Sequence, residues 1–219
     1  KSEDASTDAQ TVGSVAGVTD MVAAGSSLYF GTAGGLQKMP TAGGSPMSVF
    51  QEEGVLGGMI TDGHALYWTS QSDAGSHTTR FGLDSFGALA HSANVAAPSW
   101  VAVDEGFVYD FDANAGLVRR MNKSTLAPPE TLATITDKTF LFAAGATVDE
   151  TNVYFSLART IDYPRDLTLV KVPKCGGDPV ILGAYGGGFG TGIFVDATYV
   201  YFADEVPAGS LSRVLRVAK

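Results

Sequence analysis

Short apolar runs alternate with polar turns along this chain, and one run recurs with the same flanking residues. Its pattern is Asp, three further residues, Leu or Val, Tyr, and then Trp, Phe or Asp, at residues 62–68, 104–110, 149–155 and 196–202. A fifth copy, at residues 24–30, has Ala24 in place of the Asp. The repeat tyrosines are 38, 42, 45 and 47 residues apart: Tyr29, Tyr67, Tyr109, Tyr154 and Tyr201. Periods of about 40–50 residues built from short strands are typical of a β-propeller, where each repeat is one four-stranded blade.

Each repeat predicts four strands. A short apolar inner strand precedes the Asp, whose carboxylate can accept backbone N–H bonds in a turn. The Tyr strand follows, rich in β-branched and aromatic residues. A third strand ends in a basic residue, and a turn with Gly or Pro leads to a fourth strand. We expect the third-strand basic residues to form a ring of equivalent, exposed positions paired with carboxylates: Lys38, Arg80, Arg119, Lys171 and Arg213.

The ends of the repeat series suggest how the ring closes. The last repeat has no fourth strand before Lys219, whereas residues 10–15 precede the first repeat and have the pattern of an isolated strand. An open ring would leave unpaired strand edges. The sequence therefore predicts an all-β, five-bladed β-propeller of four-stranded antiparallel blades, closed by the N-terminal strand. Residues 1–8 are predicted to be a flexible tail, and residues 9–219 a single domain.

The motif Tyr67-Trp68-Thr69 and the later run Val170-Lys171 before Gly176-Gly177 carry a resemblance. They resemble the repeats of bacterial extracytoplasmic propeller proteins with Tyr-Trp-Thr-type (YWTD/TolB-like) motifs. The likeness extends over nearly the whole chain. It implies a protein that is secreted, periplasmic or tethered to the cell surface, in some cases as a lipoprotein, and that binds a ligand or partner.

Composition limits the classes of partner that the protein can bind. A formal net charge of −9 and a pI near 4.6 argue against nucleic acid, which requires a basic surface. No apolar run approaches the roughly 18 residues of a transmembrane helix. The lone Cys175 cannot form an intramolecular disulfide. We expect a monomer whose partner is a protein or a glycan.

Candidate ligand residues are predicted at one end of the blades. Loops between second and third strands, together with the links between blades, share this end, which we call the loop-rich face; the repeat Asp turns lie at the opposite, plain face. Loops on a rigid scaffold commonly carry function. Four residues before the repeat Asp or Ala24, three repeats have glycine but two have Asp20 and Trp100. A carboxylate and an aromatic ring can hold a sugar or a cation, although Trp100 could equally fill the channel. The candidate ligand-binding residues are Asp20, Trp100, Tyr163, Tyr185 and Asp204.

A calcium site is a second candidate. Asp110, Asp112 and Asn114 alternate as the oxygen ligands at the start of a calcium loop do. However, Gly116 comes one residue late, and Met121 stands where a bidentate Glu is expected. The same residue types are usual in hairpin turns. No other cofactor is predicted.

No catalytic motif accompanies these candidates. The chain has no Gly-x-Ser-x-Gly nucleophile motif, and the predicted inner strands lack the inward carboxylates of a glycosidase. The sequence favours a non-catalytic extracytoplasmic binding or scaffold propeller. Two alternatives stay open: a carbohydrate-binding lectin, and a hydrolase or lyase that uses Asp20 with Asp112 or Asp204 at the channel mouth.

Overall fold

The computed structural model describes residues 11–51, 55–72, 75–84, 87–92, 98–137, 139–159, 166–186, 192–204 and 213–219. These residues form an all-β fold of antiparallel strands in five sheets. Within them, no helix is long and apolar enough to cross a membrane.

The first four sheets have four strands each in chain order, and the fifth has three described strands; we call them blades 1 to 5. Blade 1 contains β1 (Val18–Ala24), β2 (Ser27–Thr32), β3 (Gly35–Pro40) and β4 (Met47–Phe50). Blade 2 contains β5 (Val55–Thr61), β6 (Ala65–Ser72), β7 (Gly75–Gly82) and β8 (Leu89–His91). Blade 3 contains β9 (Pro98–Val103), β10 (Phe107–Asp112), β11 (Leu117–Asn122) and β12 (Glu130–Thr134). Blade 4 contains β13 (Phe142–Val148), β14 (Asn152–Ala158), β15 (Asp166–Pro173) and β16 (Val180–Gly186). Blade 5 contains β17 (Ile193–Val195), β18 (Tyr199–Asp204) and β19 (Arg213–Ala218).

In blades 2 to 4, the second strand is buried on both sides because its side chains alternate between the two neighbouring blades. In blade 2, Tyr67 packs on Val101 and Val108 of blade 3. The adjacent Trp68 belongs to the cluster around Tyr29 of blade 1. The repeated Tyr therefore faces the following blade, and the residue after it faces the preceding one.

The inner strands pack side by side in the order β1, β5, β9, β13, β17. Among the described residues, β17 has no comparable packing against β1. The predicted closure by the N-terminal strand is wrong, because residues 11–15 form no strand and contact blade 1 instead. The Val12 carbonyl accepts the Gly44 N–H at 3.1 Å, beside the β3–β4 turn of blade 1. The positive φ of Gly43 (97°) allows this approach, and a Cβ there would lie 2.7 Å from the Val12 oxygen.

The strand register corrects the predicted ring of basic residues. Tyr29 lies opposite Lys38, Tyr67 opposite Arg80 and Tyr154 opposite Lys171. In blades 3 and 5, however, the partners of Tyr109 and Tyr201 are Arg120 and Arg216. Arg119 is one register position away and is only 5% exposed, so the prediction that it forms an exposed surface pair is wrong.

Candidate functional site

At the plain face, the repeat Asp joins its own blade to the next one. In blade 2, Asp62 Oδ1 accepts the His64 and Ala65 N–H groups at 2.9 and 2.8 Å, which fixes the turn. Its Oδ2 accepts the Tyr67 hydroxyl at 3.1 Å. The same oxygen lies 3.0 Å from Nζ of Lys123, which blade 3 contributes. We call this arrangement the Tyr–Asp–Lys clamp.

The clamp recurs at the next two blade interfaces. Lys174 of blade 4 lies 2.7 Å from Asp104, and Lys219 of blade 5 lies 2.6 Å from Asp149. Tyr109 and Tyr154 donate to those carboxylates at 2.7 and 2.8 Å. Sequence reasoning found the Asp and the Tyr but missed the Lys. A signal was present: each clamp lysine follows the basic partner of the repeat Tyr by three residues, as in Arg120 and Lys123, Lys171 and Lys174, and Arg216 and Lys219.

The clamp shifts the ionisation of its members. Burial alone would raise the pKa of Asp62, but hydrogen bonds from His64, Lys123 and other groups outweigh it and lower the pKa to about 2. The pKa values of Asp104 and Asp149 are lowered for the same reasons. Burial, together with the neighbouring charge of Asp62, raises the pKa of Tyr67 to about 12. The clamp therefore favours a charged Asp beside a neutral Tyr.

The interface between blades 1 and 2 has neither the acid nor the lysine of the clamp. Ala24 replaces the Asp, and Leu83 stands three residues after Arg80, where the later blades have lysine. Both side chains pack in the apolar cluster around Tyr29 and Leu36. Both the acid and the lysine are absent from this interface, as expected for a paired contact, because either charge alone would be left half-buried without its partner.

A buried ion pair lies between blades 2 and 3. Arg119 Nε and Nη2 donate to the two oxygens of Asp110 at 2.8 and 2.7 Å. Thr78 of blade 2 donates to Asp110 Oδ2 at 2.7 Å. The Arg119 guanidinium is also 3.9 Å from Asp112. At the same register, blade 4 has Phe155 opposite Val170, so blade 3 has a charged pair where blade 4 has an apolar one.

These contacts bear on the predicted calcium residues. Asp110 is fully buried and has its positive partner in Arg119. Asp112 Oδ1 accepts the Ala115 N–H at 3.1 Å, as in an ordinary hairpin turn, and Asn114 is exposed in that turn. The described residues hold no group of three or more His, Cys, Asp or Glu arranged for a metal. Calcium binding here stays a prediction, while the observed contacts of Asp110 and Asp112 are structural.

On the loop-rich side, Asp20 ties blade 1 to blade 2. Its Oδ1 accepts the Met21 N–H at 2.7 Å, and its Oδ2 accepts the Met59 N–H at 2.6 Å. Burial raises the pKa of Asp20, and these N–H groups oppose that shift in part. Ser99 makes a similar link between blades 3 and 4, since its hydroxyl accepts the Ala143 N–H at 2.8 Å.

Trp100 occupies the bulge of β9 with a φ of 37°, in the left-handed region that bulky residues rarely adopt. The equivalent bulge in β5 holds Gly58 with a φ of 62°. A Cβ on Gly58 would lie 2.5 Å from Trp100 Cα, so glycine is required there. The two bulges meet at a cavity of about 330 Å³ whose lining contains both of them and the following residues: Gly57, Thr69, Gln71, Ser99, Leu141, Phe142 and Ala143.

The structure brings together only part of the predicted ligand set. Asp20 and Trp100 are linked through the Gly58–Met59 segment. Tyr185 instead packs against Phe202, with ring centroids 4.2 Å apart, in the interface between blades 4 and 5. Tyr163 lies outside the described residues, and so does the side chain of Asp204.

The cavity also contains residues that sequence reasoning missed, namely Gln71, Ser99 and Phe142. They come from three blades and share no motif. Their convergence depends on how neighbouring blades pack, so no spacing in the sequence could have signalled it.

The comparisons with known proteins establish the fold. No family model matches the chain, and no curated protein matches it. Solved β-propeller structures do match. A chain of a nidogen/laminin complex is 18% identical with a TM-score of 0.62, over 82% of this chain and 70% of that one. A luciferin-regenerating enzyme is 14% identical with a TM-score of 0.61, over 92% and 78%. BamB from Moraxella catarrhalis is 17% identical with a TM-score of 0.54, over 87% and 56%. At such identities the likeness shows the propeller fold alone, and this fold carries many functions.

Proposed function

We propose that this protein is a non-catalytic binding propeller that works outside the cytoplasm, secreted, periplasmic or tethered to the surface. Its ligand binds in the cavity beside Trp100. The observation that carries this proposal is the strained backbone of Trp100 at the cavity wall.

Strain of this kind needs a compensating gain. A non-glycine residue in the left-handed region costs about 1–2 kcal/mol, and such residues cluster at binding sites. Glycine would relieve the strain, and blade 2 has glycine at the equivalent bulge. Trp100 packs in part against the apolar cluster between blades 3 and 4. That packing offsets some of the strain, and holding an indole ring at the edge of a cavity gives a further reason to keep it.

The cavity wall favours a small, uncharged, polar ligand. Among the described residues, its lining contains no Asp, Glu, Lys or Arg, but combines Trp100 and Phe142 with the Gln71 amide. Its volume of about 330 Å³ is at the lower end of ordinary ligand sites. An aromatic face and an amide suit the apolar and hydroxyl sides of a sugar ring, so a carbohydrate-binding role is the second candidate and the first ligand class to test.

A hydrolase or lyase at this mouth would need acid and base groups that are available to a substrate. Asp20 accepts two backbone N–H groups and holds blades 1 and 2 together. Asp112 caps its own turn. Because both carboxylates accept hydrogen bonds that hold the fold, a binding role is favoured over a catalytic one. A chain from a complex with laminin is among the structural neighbours, which is consistent with a propeller used for recognition.

A glycan array probed with the labelled protein tests the ligand class. We expect selective binding of a few glycans, and loss of that binding in Trp100→Gly. Thr41→Lys on the plain face is the matched control and should bind normally. Mass spectrometry of a bound glycan after long incubation should find it unchanged. Cleavage of the glycan would contradict the non-catalytic role, and full binding by Trp100→Gly would contradict the site.

A further inference from the structure

One side of blade 5 is exposed at positions where the same side of blades 1 to 4 is buried. Val214 lies opposite Ala203, two residues after the repeat Tyr, and is 80% exposed. The residues at the same register in blades 1 to 4 are each at most 2% exposed: Leu36, Thr78, Val118 and Leu169. Phe194, opposite Tyr201, is 71% exposed. In blades 1 to 4 this side packs on the following blade, so we call it the uncovered face of blade 5.

The charge pattern at the edge of this face points to the missing neighbour. Asp196 accepts the Tyr201 hydroxyl at 2.8 Å and the turn N–H groups, as in a clamp. Among the described residues, no following blade supplies a lysine to its carboxylate. Lys219, from the same blade, donates to its backbone oxygen and to Asp149.

Blade 1 does not fit the role of that neighbour. At the three described interfaces with a repeat Asp, the following blade supplies a clamp lysine. At the interface where Ala24 replaces the Asp, the following blade has Leu83. The corresponding residue of blade 1 is Thr41, three residues after Lys38. Direct packing of blade 5 on blade 1 would therefore place Asp196 beside Thr41, and break a rule that the other four interfaces obey.

We propose that the uncovered face of blade 5 is the docking surface for a further propeller blade. This blade carries a lysine three residues after the basic residue of its third strand, and that lysine completes the clamp with Asp196 and Tyr201. Apolar side chains on its second strand cover Phe194 and Val214. Two structurally similar propellers are longer than the matched part, since the match covers 70% and 78% of their chains.

Thiol labelling tests whether the face is bare in the 219-residue chain. Val214→Cys in a Cys175→Ser background leaves one reactive site, because Cys175 is exposed and would otherwise react. We expect fast labelling of the new cysteine, at the rate of a denatured control. Val118→Cys, at the buried equivalent in blade 3, should label only on unfolding. Slow labelling at position 214 would overturn the proposal, because blade 1 would then cover the face.

A second pair of variants tests the lysine. Thr41→Lys would supply the clamp if blade 1 met blade 5, so we expect no rise in Tm; a clear rise would support five-blade closure and overturn the proposal. Fusing a second copy of residues 141–192 after Lys219 offers the uncovered face a blade with a clamp lysine. We expect this fusion to protect Val214→Cys from labelling and to raise the Tm. A fusion with Lys174→Leu in the copied blade should protect the cysteine at position 214 less. Equal protection by both fusions would refute the role of the lysine.

Discussion

Blades 2, 3 and 4 carry the same Tyr–Asp–Lys clamp at the plain face, with the same donors and acceptors. At the other end of the blades, the equivalent bulge positions carry different residues, including Gly58 and Trp100. At these three interfaces the plain face repeats one contact, which joins each blade to the next. The loop-rich face lies at the other end of the blades and can differ between them. Repeated residues here therefore indicate architecture, and departures from the repeat indicate individual roles.

The middle of the strands shows the same contrast between blades 3 and 4. Blade 4 presents Phe155 to blade 3 within a hydrophobic cluster. Blade 3 presents Asp110 to blade 2, where it meets Thr78 and is paired with Arg119. A buried ion pair seldom adds net stability over an apolar pair, because both charges must be desolvated. The cost of breaking such a pair is nevertheless high.

The largest effect is therefore expected for Arg119→Ala. It leaves Asp110 buried without its counter-charge, and we expect a loss of about 3–5 kcal/mol in the free energy of unfolding, measured by urea denaturation.

The matched control copies blade 4 into blade 3. Asp110→Phe together with Arg119→Val removes both charges and restores an apolar pair, so it should recover most of the lost stability. A loss below 1 kcal/mol in Arg119→Ala would mean that the ion pair is not formed in solution.

A smaller effect is expected at the clamp between blades 3 and 4. Asp104→Ala and Lys174→Leu should each cost about 1 kcal/mol, because each removes a charge-assisted hydrogen bond that is partly screened by solvent. The double variant copies Ala24 and Leu83 of the natural apolar interface and should cost less than the sum of the two. Strict additivity in this double-mutant cycle would show that the two side chains do not interact.

The clamp also predicts how stability depends on pH. The pKa of Asp62 is lowered to about 2 in the folded protein, against about 3.9 when unfolded. The contribution of Asp62 to the free energy of unfolding is therefore present above pH 4 and is lost as the pH falls towards 2. The pKa of Tyr67 is raised to about 12, so its contribution is lost as the pH rises from 10 towards 12. The Tm, measured by thermal melts across pH, should decline in both windows. Tyr67→Phe should weaken the decline at alkaline pH.

The smallest effect is expected from metal removal. Arg119 already supplies the positive charge beside Asp110, so we expect EDTA and added calcium each to move the Tm by less than about 1 °C. A calcium-dependent rise that is lost in Asp112→Asn would instead support the predicted calcium site.

The propeller repeat could be predicted from the sequence because Tyr67 and its equivalents recur with a turn Asp, and both are local features. Closure could not be predicted, because residues 11–15 have the composition of a strand but find a partner in the Gly43–Gly44 turn. The prediction that Arg119 forms an exposed pair is wrong by one register position, since Arg119 and Arg120 point to opposite sides of β11. Trp100 can be recognised in the sequence as an exception to the repeat, whereas Gln71 and Phe142 reach the cavity only through packing between blades.

The most direct test of the proposed binding role uses the fluorescence of Trp100. Trp68→Phe leaves Trp100 as the only tryptophan, and it introduces the residue that blades 1, 4 and 5 carry at that position as Phe30, Phe155 and Phe202. Titration with the sugars of the glycans selected on the array should change the emission saturably. Trp100→Gly should abolish binding of the same sugars by calorimetry while shifting the Tm only slightly, because glycine relieves the strained φ. Binding that survives in Trp100→Gly, or a collapse of its Tm without any sugar bound by the parent protein, would contradict the account and leave Trp100 as a packing residue.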